Sequence, residues 1–200
     1  MEILQQNEDF TVCIKPVGMD AEHEVPQALG GEIYPIHRLD KNVGGVMVYA
    51  RTKTAAASLS KAVQEGTMIK EYVAMVHGTV PETGDWTDLL WKDSSKNKVF
   101  VVKRMRKGVK KASLEYNILG SAEFNEKLVT LVKIKLHTGR THQIRVHMAH
   151  IGHPILGDTV YGHKKPELGQ DSQCLHAGQL CFAHPRDGRP VLVFADLPPY

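Results

Sequence analysis

The 200-residue sequence predicts an α+β fold: a mixed, mostly antiparallel sheet with flanking helices. Three observations predict it. Several segments alternate apolar and polar residues, most clearly at 112–118, where Ala112, Leu114, Tyr116 and Ile118 oppose Ser113, Glu115 and Asn117. One run, GVMVYA at 45–50, is continuously apolar like a buried strand. Only two segments carry a helical period. No internal repeat or low-complexity linker interrupts residues 1–200, so a single domain is expected.

The elements follow in order. Phe10–Ile14 reads as a short strand ended by Pro16 and Gly18, and the acidic stretch 18–31, punctuated by Pro and Gly, as a loop. After the apolar strand 45–50, Lys53–Glu65 places Ala55, Leu59, Ala62 and Val63 on one helical face, and Gly66 stops it. Lys70–His77 returns to period two, with Tyr72, Ala74 and Val76 on one face. Strands are predicted at Val99–Lys103, Ala112–Ile118 and Leu128–Leu136. A helix from Thr141 to about His150 aligns Ile144, Met148 and Ile151, and strands at Leu175–Ala183 and Val191–Ala195 close the chain.

Composition narrows the function. Apolar residues make up 42% and charged residues 24%, which excludes wholesale disorder. The start, MEILQQNEDF, lacks the basic and apolar regions of a signal peptide, and no apolar run approaches the roughly 20 residues that span a bilayer. Cys13, Cys174 and Cys181 are odd in number and lack metal-ligand spacing, as in a protein with reduced thiols. A cytoplasmic monomer with no membrane partner is expected. The formal charge is only +3, yet residues 92–111 hold nine bases against Asp93 alone, a local +8 that leaves −5 on the other 180 residues. A mildly acidic body with one basic strip fits local phosphate contact.

Two clusters could carry chemistry. His37-Arg38-Leu39-Asp40-Lys41 stands before Gly44 and Gly45 at a strand entrance, where a rigid scaffold holds reactive groups; the bland alternative is a solvated turn. His137 to His147 crowds Arg140, Thr141, His142, Gln143 and Arg145 around a helix start. Thr141 is the expected N-cap, and the first amides with Arg140 beside them form an expected anion site. The alternative there is a surface helix with snorkelling arginines. His142, His147, His150 and His153 invite a metal, but their intervals do not match the paired histidines of a zinc hydrolase helix, and no metal is expected. The strip itself, with Lys103, Arg104, Arg106, Lys107, Lys110 and Lys111, could merely protect a sheet edge, although edge protection does not need +8.

Taken together, His37-Arg38-Leu39-Asp40, Lys70-Glu71-Tyr72, the run Thr138–His147, the loop Gly152–Asp158 and Leu175-His176-Ala177 resemble the RluA-type RNA pseudouridine synthases, from about Lys15-Pro16 to Leu197-Pro198. Asp40 and Tyr72 stand 32 residues apart, as in that family. The resemblance implies a central catalytic cleft and a cofactor-free isomerisation of uridine to pseudouridine in ribosomal or transfer RNA, with no DNA partner. It implies that Asp40 is the nucleophile, that Tyr72 packs on the target base, that Arg145 pairs with Asp40, and that Arg38 helps fill the space left by the extruded base. His37, Arg140, His142, Gln143 and the strip are then expected RNA contacts.

The residue chemistry agrees with those roles. Rejoining a base through carbon calls for an ionised carboxylate near the sugar or base. A target uridine must leave the stack, and an aromatic face offers it a platform. Two departures stand out. Asn42-Val43-Gly44-Gly45 follows Asp40 where the family commonly has a Thr-Ser-Gly-like triplet, and the small amino-terminal RNA-binding domain of many relatives is not expected here. The rival readings are a non-catalytic RNA-binding module on the same scaffold and a metal-dependent hydrolase.

Overall fold

The computed structural model describes residues 1–124, 127–163 and 172–198. In chain order its elements are β1 (Glu2–Gln6), β2 (Phe10–Lys15), α1 (Glu24–Leu29), β3 (Tyr34–Pro35), β4 (Gly44–Ala50), α2 (Lys53–Glu65), β5 (Ile69–His77), β6 (Thr83–Asp93), β7 (Lys98–Val102), β8 (Val109–Phe124), β9 (Lys127–Leu136), α3 (Gln143–His150), β10 (Leu175–Ala183) and β11 (Pro190–Phe194). The mixed sheet with few helices is the α+β class that the sequence predicts. The chain divides into two compact units, residues 1–72 with 176–200, and residues 73–175.

In the first unit β2 lies between β1 and β4, antiparallel to both, and β4 runs parallel to β10, which forms a hairpin with β11. Every residue of β4 is buried, as its unbroken apolar run requires. Phe10 meets Phe182 edge-on with ring centroids 5.2 Å apart, and α2 packs on β4 through Ala55 and Leu59. That helix has the predicted limits because both signals are local. Thr52 Oγ1 accepts the Ala55 N–H at 3.1 Å, and Gly66 ends the helix in the left-handed region, φ 72°.

The second unit carries an antiparallel ribbon in the order β9–β8–β6–β7. Helix α3 packs on β6 and β7, with Val146 against Leu90, Val99 and Ala112. Tyr72, Ala74 and Val76 are buried on one face of β5, as the alternation predicts.

Four sequence expectations are corrected. The 18–31 loop contains α1, nucleated where Asp20 Oδ1 accepts the Glu22 and His23 N–H groups and where Val25 is buried. β1, β3 and β6 were not expected: β1 is an edge strand with no buried residue, β3 is two residues long, and the alternation of β6 is blurred by Asp85 and Asp88. β8 extends the expected 112–118 strand to Val109–Phe124 and forms a long hairpin with β9, which lies within one residue of the expected 128–136, with a register shift between Ile118 and Gly120. Thr141 does not cap α3. His142 takes the cap in the left-handed region, φ 51°, with no side-chain cap bond, and the Arg140 and Gln143 amides are already engaged by Gln143 Oε1 and the Arg140 carbonyl.

Candidate active site

Asp40 stands in a tight turn, closed by the Val43 N–H on its carbonyl at 2.9 Å, that delivers the chain into β4. Gly45 is required because the parallel partner leaves no room for a side chain. At Gly45, φ 123°, a Cβ would fall 2.3 Å from the Ala177 carbonyl oxygen. The Asn42-Val43-Gly44-Gly45 departure therefore still serves strand pairing beside the acid.

Behind the turn, Lys15 is wholly buried, and its ammonium donates to the carbonyls of Met19 at 2.8 Å, Pro16 at 2.9 Å and Lys41 at 3.1 Å. Burial drives this amine down to about 8, against the pull of Asp20 and Asp40. Sequence reasoning missed Lys15 as the residue that holds the Asp40 loop; its only signal is a cation closing an otherwise apolar strand.

The first unit brings Asp40 and Tyr72 together electrostatically. The Tyr72 phenol is held above the usual range, chiefly by burial and further by the Asp40 charge. Asp40 itself is half-buried. His37 turns inward, where Nε2 accepts the Val48 N–H at 3.2 Å and burial pushes the imidazole down to about 3, so it is neutral at pH 7. Arg38 stays at the surface with its guanidinium 3.2 Å from Glu22.

Arg145, in the second unit, is only 7% exposed. Its Nε and Nη2 donate to the two carboxylate oxygens of Asp158 at 2.7 and 3.0 Å, and its guanidinium lies 5.1 Å from the Tyr161 ring centroid. Burial alone would raise the Asp158 carboxyl, but Arg145 and the Tyr161 and Val160 N–H groups outweigh it and hold it below its ordinary value. Asp158 had no assigned role in the sequence, although it lies in the Gly152–Asp158 motif. Tyr161 was missed altogether. Its hydroxyl meets His142 Nδ1 at 2.8 Å and accepts the Val99 N–H at 2.8 Å, tying α3 to β7.

The remaining expected contacts divide by exposure. Lys103, Arg104, Arg106, Lys107, Lys110, Lys111 and Arg140 are exposed. Gln143 is buried and uses its amide inside the protein, accepting from Thr138 Oγ1 and the Arg140 N–H and donating to the Ser113 carbonyl, so it shapes the turn that presents Arg140. The four clustered histidines have separate surroundings. His147 is buried 3.7 Å from Asp88, His153 lies 2.8 Å from the His77 carbonyl, His142 is on Tyr161 and His150 is exposed. Among the described residues no group of three or more His, Cys, Asp or Glu could hold a metal, and no helix is long and apolar enough to cross a membrane.

The family model described as RNA pseudouridylate synthase matches residues 10–150, the stretch that holds Asp40, Tyr72 and Arg145. The chain belongs to the RNA pseudouridylate synthase family. A family member from Chloroflexus aurantiacus, described as an uncharacterized RNA pseudouridine synthase, is 40% identical over 177 residues, covering 86% of this chain and 52% of its own. Ribosomal large subunit pseudouridine synthase D of Vibrio cholerae is 38% identical over 175 residues, 82% of this chain and 52% of that one. The chain thus spans about half the length of these curated relatives. Among solved structures, human RNA Pseudouridylate Synthase Domain Containing 1 superposes with a TM-score of 0.84 at 25% identity, over 98% of this chain and 82% of that chain. The motif resemblance and the family match agree.

Proposed function

We propose that the protein isomerises uridine to pseudouridine within ribosomal or transfer RNA, acting as a monomer in the cytoplasm with Asp40 as the nucleophile. The observation that carries this reading is the family match over residues 10–150, within which Asp40 stands on a turn braced by Lys15 and Tyr72 is buried in the same unit. The reaction breaks the bond from the sugar to N1 and forms one to C5; the C5 hydrogen leaves as a proton and N1 takes one up in its place. Reactant and product are isomers, so the residues need only cleave, hold and re-present the base. Asp40 supplies the anion and Tyr72 the face on which the flipped uracil packs, with Arg145 the third catalytic residue. Arg38 fills the gap in the stack, and Arg140 and His142 join the strip in holding RNA, while His37, turned inward, supports the turn from within. Single-residue thiol chemistry plays no part in this reading: Cys13 and Cys174 are buried, and burial raises both thiols to about 11.

Release of tritium from RNA carrying 5-tritiated uridine tests the assignment. Asp40→Asn preserves the side-chain shape and is expected to lower the rate by about four orders of magnitude or more, as for other removed nucleophiles. Comparable release by the wild type and Asp40→Asn refutes the role of Asp40. RNA binding without any release by the wild type favours the binding-module reading instead.

A further inference from the structure

A pocket of about 160 Å³ opens within residues 73–175, with Leu90 and Val99 on its floor and Lys92, Lys110, Arg140 and Thr141 around them. We propose that it binds a phosphodiester of the RNA backbone outside the target nucleoside, with the adjoining ribose on the apolar floor. This rests on the reading that the substrate is RNA, and adds to it a defined place where the chain grips the backbone.

Strand register explains the convergence. Leu90 of β6 pairs with Lys110 of β8, and Lys92 pairs with Val99 of β7. Paired residues share a face, as do residues two apart, so Leu90, Lys92, Val99 and Lys110 all lie on one side of the ribbon. That is the side on which α3 packs, and the turn before α3 supplies Arg140 and Thr141. The turn is braced: Arg140 Nε donates to the Lys111 carbonyl at 3.0 Å, and its main-chain N–H is accepted by Gln143 Oε1 at 3.0 Å. The guanidinium is therefore fixed before any ligand arrives.

Three cations around one pocket repel one another, and among the described lining residues no carboxylate relieves them. Folding gains nothing from that arrangement, whereas an anion entering the pocket reverses its sign. Edge protection does not account for it. β7 is the edge strand, and its Val99 N–H is already taken by Tyr161, while Lys92 and Lys110 point into the pocket from β6 and β8. Charged rim and apolar floor together suit a group with an anionic head and a sugar body.

The test uses the full chain and total ribosomal and transfer RNA labelled with 5-tritiated uridine. Lys92→Gln with Lys110→Gln removes two pocket charges; Lys53→Gln with Lys61→Gln on α2 removes the same charge elsewhere. The pocket pair is expected to raise KM several-fold and to lower the slope of log K against log salt by roughly 0.7–0.9, one phosphate's worth, with the α2 pair close to wild type. Lys92→Arg with Lys110→Arg is expected to restore the slope, which separates lost charge from lost folding. Equal slopes for the pocket and α2 pairs overturn the proposal. So does calorimetric binding of inorganic phosphate at micromolar affinity, which would make the pocket a site for free phosphate. The salt slope reads RNA binding with or without turnover. Absent tritium release by the wild type would therefore refute the isomerase reading alone, and an unchanged slope the pocket alone.

Discussion

Replacing Asp158 by Ala tests how the Arg145 guanidinium is held. The carboxylate is inaccessible to solvent and accepts four hydrogen bonds, from Arg145 Nε at 2.7 Å, Arg145 Nη2 at 3.0 Å, the Val160 N–H at 3.0 Å and the Tyr161 N–H at 3.1 Å. Removing one member of a buried ion pair costs about 3–5 kcal/mol, because the other charge stays desolvated. At about 2–4 °C per kcal/mol for a chain of this length, Tm is expected to fall by roughly 6–20 °C. Thermal and urea unfolding at pH 7 measure it. Asp158→Asn keeps an acceptor for the Val160 and Tyr161 amides but loses the charge, and should fall between the wild type and Asp158→Ala.

The pH dependence supplies a second arm. The Asp158 carboxyl is held below its ordinary 3.8 by Arg145 and two main-chain amides, despite burial. The unfolded chain therefore binds this proton more readily than the folded one. The stabilisation is whole above pH 3.8 and is lost as pH falls through the lower, folded value. The gap between wild type and Asp158→Ala should be flat from pH 7 to about 4 and close in more acidic solution. A gap under about 1 kcal/mol at pH 7 would refute the reasoning, as would one that keeps its size to pH 2.

Two other perturbations have defined outcomes. Lys15→Met leaves the Pro16 and Met19 carbonyls without their ammonium donor, at about 1–3 kcal/mol each; chemical denaturation should show a total loss of roughly 2–6 kcal/mol, and a change under 1 kcal/mol would mean that water replaces the ammonium. Gly45→Ala drives a Cβ to 2.3 Å from the Ala177 carbonyl oxygen at φ 123°, so more than about 3 kcal/mol of stability should disappear, and near-wild-type melting would show that β4 and β10 can separate locally.

Much of this protein was legible in the sequence because its signals are local. The end of α2 follows from Gly66 and its buried face from Ala55 and Leu59, all within one segment, while the Thr52 cap was visible only in the structure. The buried face of β5 follows from the alternation of Tyr72, Ala74 and Val76, and the unbroken run of β4 from burial of every residue in it. The order of the motifs named the family, which the match over residues 10–150 bears out.

The rest depended on partners distant in the chain or on geometry without a residue code. β1 has no buried residue to mark it, and β6 is polar enough along Thr83–Asp88 to hide its pairing with β7 and β8. His142 replaced Thr141 at the start of α3 because Gln143, buried by its bonds to Thr138 and Ser113, dictated the turn. Side-chain type and period are properties of neighbours in sequence, and they decided the class, the helix α2 and the motif residues. What a charge is paired with is a property of neighbours in space. Only the tertiary structure could bury Lys15 under the Asp40 loop, set Asp158 against Arg145, and bring Lys92, Lys110 and Arg140 to one pocket.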